Sequence, residues 1–377
     1  MDLIEENSWV LLKLPNKHTR LQYVRKGEQV QLGRYGNFAA ELMIGLETER
    51  CYEIRKDKTL VLMEDEEEEL TLEASSVEEM TTNQYLVDDN TSQQLGAAEV
   101  EALKASGKSS TELLEALVQG SKTFSQKNAF AQRKYLLRKT QKHSRWFRPS
   151  RLTASSLSNQ LSLIREDVLG HLMMALDVQH GGRYALWDEH KFIVAGAILE
   201  RCPGAEVIAL HRGSAFQPGA LTFLKLADAN NLLPLSLDAP LAPFEPKTAE
   251  AIDSPAHHRH QRRYEKQQRA TQEGGGPVDG LLIASTTVTP LSLLKTLKNR
   301  LEPCARVVLY HRSSTPLLPS YEYMRQSSEF LDVRLEEAKL LEWLPEPGRM
   351  HPLMVQEDQG LAGFILTGTF VLSPASQ

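Results

Sequence analysis

The pattern that most restricts the fold of this chain begins near Leu161 and runs to its C-terminal part. Short apolar runs suited to strands alternate there with segments of helical spacing. "RYALWD", "EVIALHR", "LLPLSLD", "VDGLLIAS" and "RVVLYHR" read as strands. A helix to Asp177, then "EHKFIVAGAILERC", "GALTFLKLADANN", "PLSLLKTLKNRL" and a stretch around "SYEYMRQSSEFL", read as the helices beside them. Strands joined through helices lie parallel, because a crossover returns the chain to the same sheet edge, and the helices cover both faces. The pattern then changes. "VRLEEAKLLEWLPE" and "LAGFILTGTFVLS" follow one another without a helix between them, which predicts an antiparallel pair at one edge.

Ahead of this region, "SWVLLKLP", "RLQYVRKG", "EQVQLG" and "TLVLM" are short runs broken by Pro-Asn, Lys-Gly and Lys-Asp. Such spacing predicts a small closed or half-closed barrel. The domain reading is a β-barrel over residues 1–95, a helical basic connector over 96–152, and a parallel α/β domain over 153–377. The α/β domain is interrupted at about 239–277 by a segment rich in Pro, Gly and charge, expected to be a disordered insertion. Its "HHRHQRR" lacks the carboxylate or thiol pattern of a metal site, so no metal is expected. Cys51, Cys202 and Cys304 form no CxxC pair, which favours a reducing compartment. No apolar run reaches the roughly 18 residues of a membrane span, so no membrane association is expected.

The net charge of −6 conceals a strong separation of sign. Six consecutive carboxylates stand at Glu64 to Glu69, whereas residues 121–152 hold ten Lys or Arg and no acid. The ten are Lys122, Lys127, Arg133, Lys134, Arg138, Lys139, Lys142, Arg145, Arg148 and Arg151. A mildly acidic chain with one concentrated basic segment is expected to hold a polyanion there, through salt-dependent phosphate contacts. Trp146 and Phe147 supply either a stacking surface for an exposed base or an anchor for the connector.

The strand and helix order resembles the sheet of S-adenosylmethionine-dependent methyltransferases, and three positions then decide whether a cofactor is held. The first strand should lead into a Gly-x-Gly loop that lets bare backbone approach the ligand. The frame "LDVQHGGRY" offers adjacent Gly181 and Gly182 between His180 and Arg183. The second strand should end in an acid that accepts from ribose hydroxyls, but "EVIALHRGS" ends in His211 and Arg212. The strand facing the substrate gives Ala284, Ser285 and Thr286, with no ionisable group. Departures at three independent positions predict a sheet that binds no cofactor.

Two further stretches, "TFSQKNAFAQRKYLLRKTQKH" and "EWLPEPGRMHPLM…GFILTGTFV", complete the resemblance to a family: the non-catalytic subunit of the tRNA adenine-58 N1-methyltransferase. The resemblance covers nearly the whole chain. It implies an N-terminal small β-barrel plus a C-terminal Rossmann-like methyltransferase fold with a degenerate cofactor site. It also implies a nuclear heterotetramer of two copies of each chain, in which a catalytic paralogue holds S-adenosylmethionine and this subunit binds tRNA. Arg349, set in the Pro-rich "EPGRMHP", is implied to reach in trans toward the partner's active site; an intramolecular ion pair is the alternative. An autonomous RNA methyltransferase with an unusual cofactor loop, and a general RNA-binding adaptor, are the competing functions.

Overall fold

The structure, a computed structural model, describes residues 2–16, 18–63, 95–96, 99–100, 102–103, 110–122, 124, 132, 135–136, 138–139, 144–213, 215–238, 261–262, 264–266, 268–270, 277–340, 343–346, 349–352 and 361–371. They divide into two units, Met1–Leu152 and Thr153–Gln377.

In the first unit, alternating residues of short strands turn one face inward. Its strands are β1 (Ser8–Lys13), β2 (Thr19–Val24), β3 (Gln29–Gln31), β4 (Asn37–Ala39), β5 (Tyr52–Ile54), β6 (Leu60–Leu62) and β7 (Trp146–Arg151), with helix α1 (Ser110–Gln119) between β6 and β7. A five-stranded antiparallel sheet runs in the order β2-β1-β7-β5-β6, and β3 and β4 form a separate ladder. Val10 and Leu12 of β1, Val30, Phe38, Tyr52 and Phe147 share one core. Phe147 stacks on Phe38 with ring centroids 5.0 Å apart and lies 6.0 Å from Tyr52.

Strand β7 corrects the expected connector. Residues 146–151 are not a helical linker but an inner strand of the first unit's sheet, because Phe147 completes its aromatic core. Pro149 is tolerated there because β5 flanks β7 only at Trp146 and Phe147. The acidic run at 64–69 lies outside the described residues.

The second unit comprises α2 (Ala154–Gln160), α3 (Glu166–Ala175), β8 (Arg183–Asp188), α4 (Ile193–Arg201), β9 (Glu206–His211), α5 (Ala220–Phe223), β10 (Leu232–Ser236), β11 (Val278–Ala284), α6 (Pro290–Leu297), β12 (Leu301–His311), α7 (Leu318–Gln326), β13 (Phe330–Lys339), β14 (Trp343–Glu346), β15 (Arg349–Pro352) and β16 (Leu361–Phe370). The seven-stranded sheet has the order β10-β9-β8-β11-β12-β16-β13. Its first five strands are parallel, and β16 runs antiparallel between β12 and β13. The expected edge pair therefore forms with β13 outermost, while β14 and β15 make a two-stranded hairpin in the connection.

Two expectations change. The helix expected over 219–231 shortens to α5, after which Lys225 turns left-handed at φ 57°. The insertion expected at 239–277 contains helical residues between 261 and 270 that are tied to the sheet. Ala270 is buried in the core, Lys266 Nζ donates to the Ala229 carbonyl (2.5 Å), and Arg269 shares Glu206 with Arg183 (2.6 and 2.9 Å). An amphipathic turn with a buried alanine and two satisfied cations docks despite its polar composition.

Candidate functional site

In an open parallel sheet, ligands bind outside the carboxyl ends of the strands, where the strand order reverses. Here the chain runs outward from β8 to β9 and β10, then returns to β11 and β12, so the reversal lies between β8 and β11. The crevice is lined by the loop after Asp188, by His211–Gly213 and by Ala284–Thr287.

The glycine pair is not in that crevice. Gly181 and Gly182 precede β8 and sit at the amino end of the sheet, which corrects the expected cofactor frame. Gly181 adopts φ 78°, a left-handed turn. A Cβ on Gly182 would collide with the Tyr184 hydroxyl, which donates to the Asp177 carbonyl (3.1 Å) and accepts from the Gln179 amide (2.7 Å). The glycines make room for a buried tyrosine.

The true cofactor-loop position is Asp188-Glu189-His190-Lys191-Phe192, which the sequence reading passed over. The signal was available, since a strand ending at Asp188 makes the next residues the loop. Asp188 is buried, and its carboxylate accepts the amides of His190 (2.7 Å) and Val194 (2.8 Å), orienting the first turn of α4. Burial pushes its pKa up to about 7. Lys191 and Phe192 both hold left-handed conformations, at φ 59° and 58°. The backbone thus keeps a geometry that favours glycine, while the side chains are large.

Of the two, Phe192 is buried and Lys191 is exposed. Phe192 packs on Phe216 (4.8 Å between ring centroids), and Phe216 lies 5.4 Å from the buried His211. Arg212 stands 5.8 Å over the Trp187 ring. Glu189 reaches across the reversal point and accepts from the Thr286 amide (2.5 Å) and hydroxyl (2.8 Å) and the Thr287 amide (2.6 Å) and hydroxyl (2.8 Å). These four donors outweigh its burial and hold its carboxyl at about 2. His190, beside Tyr310 at 5.6 Å, is kept neutral by burial, its pKa lowered to about 4. With aromatics in place of bare backbone and His211–Arg212 in place of an acid, this residue set does not fit S-adenosylmethionine.

Of the ten basic residues, the structure describes six. Lys122, Arg138 and Arg151 are exposed, and Lys139, Arg145 and Arg148 are half-buried. Lys139 lies 5.3 Å over the Tyr135 ring, and Arg148 Nε donates to Cys51 Sγ (3.3 Å). Arg151 pairs with Asp2 at 3.4 Å. Lys127, Arg133, Lys134 and Lys142 lie outside the described residues. Phe147 is buried and cannot stack on a base; Trp146 is half-buried. Arg349 opens β15 opposite Glu346, at the turn end of the hairpin. Among the described residues no three His, Cys, Asp or Glu side chains gather as a metal would require, and no helix is long and apolar enough to cross a membrane.

Fold and site together define a methyltransferase-type α/β domain whose cofactor crevice is occupied by its own side chains. Its fold matches that of a SAM-dependent O-methyltransferase from Thermotoga maritima, with a TM-score of 0.52 at 12% identity over 99% of this chain and 96% of the other. The Gcd10p family model matches residues 3–358, and the chain belongs to the Gcd10p family. It is 27% identical to the tRNA (adenine(58)-N(1))-methyltransferase non-catalytic subunit TRM6 of Debaryomyces hansenii, over 98% of this chain and 87% of that protein. The protein of the same name from Schizosaccharomyces pombe is 26% identical over 99% and 93%, and that of Mus musculus 25% identical over 78% and 74%.

Proposed function

We infer that this chain is the non-catalytic subunit of a tRNA (adenine-58-N1)-methyltransferase, which binds substrate tRNA and pairs with a catalytic chain that holds S-adenosylmethionine. The observation that carries this reading is the filled crevice. A methyltransferase sheet retained without a usable cofactor site serves as a scaffold for a partner and its RNA. The N-terminal unit, with one core between sheet and hairpin, reads as a small half-closed barrel. The basic segment supplies sequence-independent affinity for phosphates. Arg349 contributes in trans to the partner's active site, where a guanidinium holds a phosphate or base without losing its proton. The same reading makes the complex a nuclear heterotetramer of two copies of each chain.

Co-expression with a catalytic paralogue tests the central claim. The heteromer forms N1-methyladenosine at position 58, and neither chain does so alone. Methylation by this chain in isolation, or cofactor binding to it in a titration, would overturn the reading in favour of an autonomous enzyme. Arg349→Ala is expected to lower turnover while tRNA affinity holds; unchanged turnover would remove the trans role.

A further inference from the structure

Exposed cations gather at one end of the first unit's sheet. β1 ends at Lys13 where β2 begins, and the antiparallel register sets Lys13 beside Thr19 and Arg148. β7 begins and β5 ends at this same end of the sheet, joined by the Ile54 amide donating to the Arg145 carbonyl (2.7 Å). Two turns therefore project from one end. Residues 14–18 join β1 to β2, and residues 55–59 join β5 to β6. Lys13, His18, Arg20, Arg55, Lys56 and Lys58 are all exposed there.

The acids at this end are largely engaged. Asp57 accepts from the Thr59 amide (3.1 Å) and hydroxyl (2.6 Å), which holds the 55–59 turn. Glu49 pairs with Lys13 at 3.6 Å. The opposite end mixes signs: Asp2, Glu5 and Glu6 stand there with Arg25, Lys26 and Arg151, Lys26 pairing with Glu6 at 3.1 Å and Arg151 with Asp2 at 3.4 Å. β6 runs from the basic end toward that one, since Leu60 lies opposite Ile54 and Leu62 opposite Tyr52. The acid-free basic stretch, by contrast, returns to the sheet at Ser144–Arg148, on the cationic end.

We propose that this end of the five-stranded sheet, formed by residues 14–16, His18 and the 55–59 turn with Lys13 and Arg20, is a second RNA-backbone contact surface, continuous with the basic segment where it enters the sheet at Ser144–Arg148. The proposal rests on the tRNA-binding reading and extends it to residues outside the basic stretch. Five strands spaced about 4.8 Å apart make a strip roughly 20 Å wide. A cationic strip of that width, with no large exposed apolar side chain among its described residues, fits a phosphate backbone. An acidic protein surface is the competing occupant.

The test uses the complex of this chain with its catalytic partner and a tRNA transcript. The variant is Arg55→Ala, Lys56→Ala and Lys58→Asn together; asparagine suits position 58, where φ is 66°. Asp57 and Thr59 stay, so the turn keeps its hydrogen bonds. The control, Arg25→Ala with Lys26→Ala, removes two cations from the opposite end. The expected result is a loss of tRNA affinity on the order of tenfold near 0.15 M salt. The slope of log affinity against log salt should fall by about 0.7–0.9 per lost contact. The control should match the wild type, and all forms should melt alike. An unchanged affinity and slope would overturn the surface while leaving the tRNA-binding reading intact. Unchanged tRNA affinity in a heteromer that dissociates at lower salt would overturn it in favour of a protein partner. If the catalytic chain alone bound tRNA as tightly as the complex does, both readings would fall.

Discussion

Replacing Glu189 by glutamine tests whether the crevice is held shut by that carboxylate. Four donors converge on it from Thr286 and Thr287, two of them backbone amides. Both amides and the Thr286 hydroxyl meet Oε2 and only the Thr287 hydroxyl meets Oε1, so glutamine can keep the amides on its one oxygen but loses the charge that strengthens all four bonds. Folding moves the carboxyl from an ordinary value of 4.5 to about 2, which corresponds to roughly 3 kcal/mol at most. Because the side chain is partly solvated, screening reduces this to about 1–2 kcal/mol. Glu189→Gln should lower the melting temperature of the second unit by about 3–6 °C at pH 7. The group's pKa is depressed on folding, so its stabilisation is present above pH 4.5 and is lost as pH falls toward 2. The gap between wild type and variant should therefore narrow between pH 5 and 3. The Glu189 charge also raises Asp188 (about 7) and His190 (about 4), so the variant lowers both, and the gap is followed over the whole range from pH 8 to 3. Equal melting at pH 7, or a gap that widens in acid, would refute the carboxylate bridge.

Three other outcomes follow from the packing and the crevice. Phe147→Ala should cost about 3–5 kcal/mol in a urea titration, because it empties the ring stack against Phe38 and Tyr52; a loss below about 1 kcal/mol would contradict its place in the core. Gly182→Ala should destabilise by about 1–3 kcal/mol by crowding the Tyr184 hydroxyl, with tRNA methylation by the reconstituted complex unchanged below the melting transition. His190→Gly combined with Phe192→Gly should still give no S-adenosylmethionine signal by calorimetry, because His211 and Arg212 remain where an acid is needed; a clear binding isotherm would show that bulk alone closes the site.

Much of this was legible from local pattern. Strand–helix alternation specified the parallel strands, and the lack of a helix near the end specified the antiparallel pair, because periodicity reports which faces are buried. His211–Arg212 and Ala284–Thr286 fall at the crevice as read, since each lies at the carboxyl end of a recognisable strand. The separation of charge between 64–69 and 121–152 was likewise plain in the chain itself.

Tertiary structure alone decided the rest. A glycine pair looks the same in sequence whether it frees backbone for a ligand or makes room for Tyr184; only the position of Gly181 and Gly182 at the amino end of β8 separates the two. That β7 enters the first sheet from about 90 residues downstream of β5 is a pairing no local window contains. The contacts among Phe192, Phe216 and His211, and the reach of Glu189 to Thr286 and Thr287, join residues distant along the chain. Sequence determined which elements form, because burial is written into local periodicity. Their order in the sheet decided which loop became the crevice, because that order follows from long-range packing.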